Sequence, residues 1–339
     1  MHRAIIGASD IAATQVIPAL RATGEEPAVV VSSKAGWAGE YATEHGIAQG
    51  TDDLAAALDG CDAAYVSSTN EKHYEQTMAA IDAGLHVLCE KPLAMTVDQA
   101  REMVEAAAHA GVVLATNHHL RNNPVIRTMR DLIADGQVGD LLGVRVAHAV
   151  LLPERLRGWR LGDKAAGGGV VLDITVHDVD TIRYVTGLEP TSISAVGAEQ
   201  GLGEGLIDAV MTNGTLGENT LFSTYDAFTV AHAETGFEVH GTEATLIGRG
   251  CMTPEPVGTL EIRRHGEIAP APTPEVPSLY IPNIEAFVAA TRGEGRPIAT
   301  GDDGRRSMET ALAAVESLST SRLVPLSLDA QMPPAQESE

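Results

Sequence analysis

Over residues 1–120 the chain alternates short apolar, β-rich runs with stretches of helical period. Arg3–Ile6 reads as a strand, and Ile11–Arg21 as a helix with Ile11, Val16, Ile17 and Leu20 on one face. Ala28–Ser32, Ala63–Ser67, His86–Cys89 and Val112–Thr116 read as further strands. Helices at His73–Ala83, closed by Gly84, and at Val97–Ala110 lie between them. Strands that alternate with helices predict a parallel, doubly wound sheet.

After Asn117 the rhythm changes. A helix at Val125–Ala134 precedes a long alternating strand, Leu142–Leu152. Asn219–Asp226, Gly236–His240 and Thr259–Arg263 read as antiparallel strands with one solvated face. The Pro-rich stretch Glu267–Pro277 reads as a surface loop, and helices near Ile284–Arg292 and Gly304–Ser317 close the chain. A polar tail, 331–339, is expected to fray.

Composition narrows the classes. At about 150 residues per domain, 339 residues suggest two domains. The net charge is −23, from 46 acidic against 23 basic residues, so a nucleic-acid-binding face of clustered Lys and Arg is not expected. The same charge disfavours an anionic membrane, and no apolar run approaches the ~18 residues that a membrane span needs. Asp10 interrupts the one N-terminal stretch that could pass for a signal peptide. Cys61, Cys89 and Cys251 are odd in number and far apart, which fits a reducing cytoplasm.

Three motifs carry chemistry. Gly7-Ala8-Ser9-Asp10-Ile11-Ala12 sits between the first strand and the first helix, where a dinucleotide pyrophosphate would approach the helix N-terminus. Ser9 stands at the second glycine position of that fingerprint and Ala12 at the third. Alone, the motif fits a plain strand-to-helix turn equally well. Glu90-Lys91-Pro92 places an ammonium beyond the C-terminal end of a strand, where open parallel sheets bind ligands, and a cis bond suits such a turn. A surface Lys before a loop is the plainer alternative. Asp173 and His177, after the Gly167-Gly168-Gly169 run, are four apart on one helical face. His suits proton transfer near neutrality. A structural helix pair, or a metal held by Asp-x-x-x-His, are the other readings.

Taken in order, these motifs resemble the Gfo/Idh/MocA oxidoreductases. The resembling stretches include Ser68-Thr69-Asn70-Glu71-Lys72-His73, Gly84 through Pro92, Thr116 through Asn122, Gly158-Trp159-Arg160-Leu161, and Leu172 through Asp178. The resemblance implies an α/β protein. A Rossmann domain with a doubly wound parallel sheet would occupy 1–120. A C-terminal substrate-binding and self-association domain with a mostly antiparallel open sheet would occupy 121–330. It implies a reaction centre of Lys91, Asp173 and His177. It also implies cofactor contacts from Ala8, Ser9, Asp10, Ile11, Ser32, Ser33, Ser68, Thr69, Asn70, Glu71, Lys72, His73, Glu90, Lys91, Asn117, Trp159, Arg160 and Tyr280. The residues themselves add Gly7, Lys34 and Trp37 to the cofactor side, and no metal is expected.

The cofactor expected is NADP(H), with NAD(H) as the alternative. The second strand ends Val31-Ser32-Ser33-Lys34, with no carboxylate until Glu40 to bind a ribose 2′-hydroxyl and repel a 2′-phosphate. Trp37 stands where the family's reductases carry an Arg. The expected activity is reduction of a cyclic keto-sugar, with a possible homo-oligomer. His177 would give the proton and Lys91 would stabilise the alkoxide, and sequence does not rank these two as donor. The rivals are an NAD-linked inositol or sugar-alcohol dehydrogenase, a silent dinucleotide or sugar sensor, and a metal-dependent hydrolase.

Overall fold

The structure, a computed structural model, describes residues 1–34 and 36–327. The tail expected at 331–339 lies outside the described residues. The first half builds six parallel strands: β1 (Arg3–Ile6), β2 (Pro27–Val31), β3 (Gln49–Thr51), β4 (Ala63–Val66), β5 (His86–Cys89) and β6 (Leu114–Thr116). Their order, β3-β2-β1-β4-β5-β6, reverses direction at β1, which opens a crevice at the C-terminal ends of β1 and β4. Near-continuous burial along β1, β2, β4 and β5 explains their unalternating apolar runs.

The connecting helices are α1 (Ile17–Ala22), α2 (Trp37–His45), α3 (Leu54–Leu58), α4 (His73–Asp82) and α5 (Val97–Ala110). A π-turn, Ala12–Val16, leads into α1. Thr96 caps α5 by accepting from the Gln99 amide, and left-handed Gly111 ends it. The stretch between β2 and β4, which the apolar pattern leaves unassigned, holds α2, β3 and α3. Their short, Ala-rich sequences carry almost no periodic signal.

The second half follows α6 (Pro124–Ala134) with β7 (Leu141–Ala149), α7 (Glu154–Gly162) and α8 (Val176–Thr186). Seven strands come next: β8 (Pro190–Ala198), β9 (Ala209–Leu216), β10 (Thr220–Ala227), β11 (Gly236–Gly241), β12 (Thr245–Arg249), β13 (Thr259–Arg264) and β14 (Glu267–Ala271). They are followed by α9 (Tyr280–Thr291), α10 (Gly301–Thr320) and the short β15 (Val324–Pro325). The nine strands order as β14-β13-β12-β11-β7-β10-β9-β8-β15.

Two expectations change. β10 pairs antiparallel with β9 but parallel with β7, because the crossover through α7 and α8 separates β7 from its neighbour. Residues 267–271 form an edge strand rather than a loop. Pro270 needs no ladder donor there, so its presence did not forbid a strand.

The chain then returns. Tyr280, Ile284, Phe287 and Val288 of α9 join the core around β1 and α1, far from their neighbours in sequence. α10 is shared: Met308 packs into the first sheet's core, and Ala311, Ala313 and Ala314 into the second's. A capping box between Thr300 and Asp303 starts α10. At Gly304 a Cβ would meet Thr116 Oγ1, so the helix lies directly on β6. Arg121 grips both oxygens of buried Asp180 at 2.7 and 2.6 Å, and reaches Asp303 at 3.1 Å. Ser307 donates to Asp180 at 3.0 Å. This hub joins the segment after β6 to α8 and α10.

Asp180→Ala would leave the buried Arg121 charge without its main partner. The expected cost is about 3–5 kcal/mol in denaturant unfolding. Arg145→Ala, which breaks an exposed pair with Glu238, should leave the midpoint near wild type.

Candidate active site

The glycine-rich turn lies at the crevice. Gly7 has φ +105°, and a Cβ there would collide with the Ser68 amide nitrogen, so the turn passes against the loop after β4. Ser9 does more than fill a glycine position. Its hydroxyl donates to Ser67 Oγ at 2.8 Å and accepts from the Ala12 amide at 3.2 Å, which caps the helix start. The first-turn amides of Asp10 and Ile11 have no intrahelical acceptor and remain for an anion. Two aromatic residues of α2 hold the turn in place. Trp37 Nε1 donates to the Ala8 carbonyl at 3.4 Å, and Tyr41 Oη to the Ser9 carbonyl at 2.9 Å.

Beyond β2, Ser32 Oγ accepts from the Lys34 amide, and Lys34 Nζ lies 4.9 Å from the centre of the Trp37 ring. Lys72 Nζ donates to Ser33 Oγ at 3.1 Å. Lys72 belongs to the stretch Ser68–His73, where the resemblance implies cofactor contacts. Only the fold brings the loop after β4 across to β2. Two ammonium groups therefore flank the end of β2 where one was expected.

The loop Ser68-Thr69-Asn70 is tied down on every side. Ser68 Oγ donates to Gln76, Thr69 Oγ1 to Glu71, and Asn70 Nδ2 to the Gly167 carbonyl at 3.2 Å. His73, expected among the cofactor contacts, is buried. Its ring spans the Pro92 and Ser68 carbonyls at 2.8 and 3.1 Å, so it braces the loops rather than facing the crevice. Burial keeps its pKa below the ordinary histidine value.

Beneath the crevice, Tyr65 Oη and Asn117 Nδ2 both donate to Glu90 Oε1, at 2.6 and 2.5 Å. Burial outweighs these donors and raises the Glu90 pKa. Asn283 of α9 donates in turn to Asn117 Oδ1 at 2.5 Å. Tyr280, also expected at the cofactor, is 1% exposed and stacks on His119 with ring centres 4.9 Å apart.

Lys91 and Asp173 meet at the centre. The Lys91–Pro92 peptide is cis. Lys91 Nζ donates to both the carbonyl oxygen and Oδ1 of Asp173, each at 2.8 Å. Arg160 Nε approaches Asp173 at 3.3 Å, and its guanidinium covers the Trp159 ring. Burial alone would raise the Asp173 pKa, but the adjacent Lys91 and Arg160 charges hold it well below the carboxylate range.

Asp173 lies in a π-turn, Val171–Thr175, that leads into α8, where His177 sits. The glycines before it allow close approach to protein, since a Cβ at Gly168 would meet the Trp159 carbonyl at 2.6 Å. Asp173 and His177 are four apart, but the carboxylate is taken by Lys91 and Arg160. His177 instead packs edge-on against His118 and His119, at 5.9 and 5.0 Å. Burial, then Lys91, then His119, His118 and His148 push its pKa well below the usual value, so the ring is neutral.

This donor set fits a nicotinamide dinucleotide. Free helix-start amides meet the pyrophosphate position, and hydroxyls with two ammonium groups meet the end of β2. No carboxylate stands at the end of β2 between Val31 and Trp37. Among the described residues no group of three or more His, Cys, Asp or Glu is arranged to hold a metal ion. No helix among them is long and apolar enough to cross a membrane.

Residues 1–118 match the oxidoreductase family with an NAD-binding Rossmann fold, GFO_IDH_MocA. Residues 126–247 match the GFO/IDH/MocA C-terminal domain. The chain is 51% identical over 320 residues to a 1,5-anhydro-D-fructose reductase from Ensifer adhaerens, covering 93% of this chain and 96% of that one. It is 29% identical over 321 residues to a D-glucoside 3-dehydrogenase from Escherichia coli (strain K12), covering 89% and 90%. The fold matches an aldose-aldose oxidoreductase from Caulobacter crescentus with a TM-score of 0.87 at 23% identity, over 96% and 99% of the two chains. It matches a levoglucosan dehydrogenase in complex with NADH and levoglucosan with a TM-score of 0.84 at 22% identity, over 96% and 99%.

Lys91 and Asp173 should act as a unit. Lys91→Ala is expected to lower kcat by about 100-fold or more. Asp173→Asn should lower it too, and the double variant should be barely worse than the worse single. Steady-state kinetics check this; multiplicative losses would separate the two roles.

Proposed function

The chain belongs to the Gfo/Idh/MocA family of sugar oxidoreductases, and we propose that it reduces a cyclic keto-sugar of the 1,5-anhydro-D-fructose type with NADPH. The observation behind this substrate is the 51% identity, over nearly the whole chain, with a protein named for that reaction. In this reading residues 1–120 bind the cofactor and 121–330 complete the substrate site. The nicotinamide, when bound, supplies the hydride to the carbonyl carbon.

The residues of this chain govern the oxygen. An ammonium has three N–H donors, and Asp173 uses two of those on Lys91. The third is left for the substrate oxygen. As negative charge develops there, Lys91 stabilises it in a site with little water, where such a charge counts most. Asp173 and Arg160 keep the ammonium aimed. His177, held neutral, donates an N–H to the same oxygen. Lys91 then gives the alkoxide its proton, because an ammonium is a far stronger acid than a neutral imidazole.

For the cofactor, Ser32 and Ser33 donate to the 2′-phosphate, and Lys34 and Lys72 supply its counter-charge. Trp37, tied by its indole N–H to the Ala8 carbonyl, stiffens the turn.

Oxidation of NADPH and NADH with 1,5-anhydro-D-fructose and a polyol panel tests the reading. A preference of about ten-fold in kcat/KM for NADPH, ~1.4 kcal/mol, is expected. Lys34→Ala and Lys72→Ala should each weaken NADPH more than NADH. A wild-type preference for NADH with a polyol would replace the proposal by an NAD-linked dehydrogenase.

His177→Gln, which keeps a neutral donor, should retain kcat within about ten-fold. A loss in the 10²–10⁴-fold range typical of a general acid would return the proton-donor role to His177.

A further inference from the structure

One cationic side chain at the cofactor crevice has no part in the function described so far. α7 comes from the second half of the chain, and three of its nine residues are Arg, in a chain of net charge −23. Arg157 secures the start of the helix by donating to the Leu152 carbonyl at 3.0 Å. Gly158 leaves helical geometry, with φ 2° and ψ −123°, so Arg155 and Arg160 sit on either side of a kink. At one end Arg160 meets Asp173 at the reaction centre. At the other, Arg155 Nη1 lies 3.9 Å from Asp10 Oδ2, on the glycine-rich turn. α7 therefore runs from the pyrophosphate position to the reaction centre, the span that a bound dinucleotide must cover.

The partner explains the place of Arg155. Asp10 opens a helical run that continues through the π-turn and α1 to Ala22. Its carboxylate stands beside the first-turn amides that are free to receive an anion. Those amides attract a pyrophosphate, and a bare carboxylate next to them repels it. Arg155 covers that carboxylate from the other half of the chain. As a stabilising contact the pair has little value, because the side chains are 60% and 42% exposed and 3.9 Å apart. Among the described residues Arg155 makes no other ion pair and no side-chain hydrogen bond. Its planar fork of N–H donors, the geometry that suits phosphate oxygens, is thus free at the turn. Lys34 and Lys72 lie instead at the end of β2, where only a 2′-phosphate would meet them.

We propose that Arg155 is a ligand of the dinucleotide pyrophosphate, delivered to the glycine-rich turn from the second half of the chain. The proposal rests on the reading that a nicotinamide dinucleotide fills the crevice. Before the cofactor binds, Arg155 covers the Asp10 carboxylate. With the cofactor in place, its guanidinium donates to pyrophosphate oxygens and stays beside Asp10, so that carboxylate no longer opposes the anion. The pyrophosphate is common to NADPH and NADH, so Arg155 serves both alike, unlike Lys34 and Lys72. The same helix then holds the cofactor at its phosphates through Arg155 and Asp173 at the reaction centre through Arg160.

The test is calorimetric titration of NADPH, NADH and ADP-ribose into wild type, Arg155→Gln, Asp10→Asn and the double variant, with Tm as the folding control. Arg155→Gln is expected to weaken all three ligands by about ten-fold, the scale of a charge-assisted hydrogen bond, and less at high ionic strength. Asp10→Asn should tighten all three by about three-fold, since it removes a like charge beside the pyrophosphate. In the Asp10→Asn background the loss from Arg155→Gln should shrink to about three-fold, because only the direct contact is left to lose. Arg145→Ala removes a comparably exposed charge from β7 and should leave binding unchanged. Wild-type affinity in Arg155→Gln would overturn the proposal, as would a loss confined to NADPH, which belongs to a 2′-phosphate contact. Complete disappearance of the loss in the Asp10→Asn background would overturn it too, by reducing Arg155 to a shield. A wild type that binds neither dinucleotide overturns the cofactor reading and this proposal with it. Binding decides the matter whether or not the wild type reduces a keto-sugar, so a failure of the substrate reading is seen separately.

Discussion

Lys91 and Asp173 stand 82 positions apart and meet at 2.8 Å, and the rest of the site depends on that contact. A lone ammonium in so dry a cleft would be costly, as would a lone carboxylate. Paired, each justifies the burial of the other. The pair also fastens the end of the first sheet to the π-turn at the base of the second. The point where the cofactor crevice meets the substrate side is thus held by charge as well as by packing.

The same ammonium shapes its neighbours. His119, His148 and His177 all feel the Lys91 charge, and burial already disfavours their protonated forms. A cluster that looks basic in composition is therefore neutral imidazole around one cation. Such rings can orient, donate and pack without competing for the charge of the substrate oxygen. The acidic side of the balance lies one layer deeper, where burial raises the pKa of both Asp178 and Asp226.

Rigidity beneath the site comes from the end of the chain. α9 reaches back so that Asn283 donates to Asn117, which donates to Glu90 beside Lys91. α10 fills the seam between the two cores, and Arg121 and Arg183 neutralise Asp180 and Asp303 where it begins. Buried networks of this kind are costly to break and leave few alternative arrangements. The loops that carry Lys91 and Asn70 are accordingly fixed before any ligand arrives.

Much of this was legible in the residues. The apolar runs of β1, β2, β4 and β5 and the capped, periodic α5 are local signals, and they placed the parallel sheet correctly. The ordered motifs from Gly7 to His177 pointed to the family, because a reaction centre needs its residue types at strand ends and turns. Other features depend on who meets whom in space. Pro270 reads as a loop until its strand is known to be an edge. Lys72 lies in a stretch the resemblance marks, but only the fold carries it across to Ser33. His73 looks available until Pro92 and Ser68 claim its ring. Asp173 and His177 share a helical face by spacing, yet the carboxylate answers to Lys91 and Arg160. Periodicity reports which face a residue takes, whereas partners across long sequence distances, and the charges they fix, are set only when the two sheets close on each other.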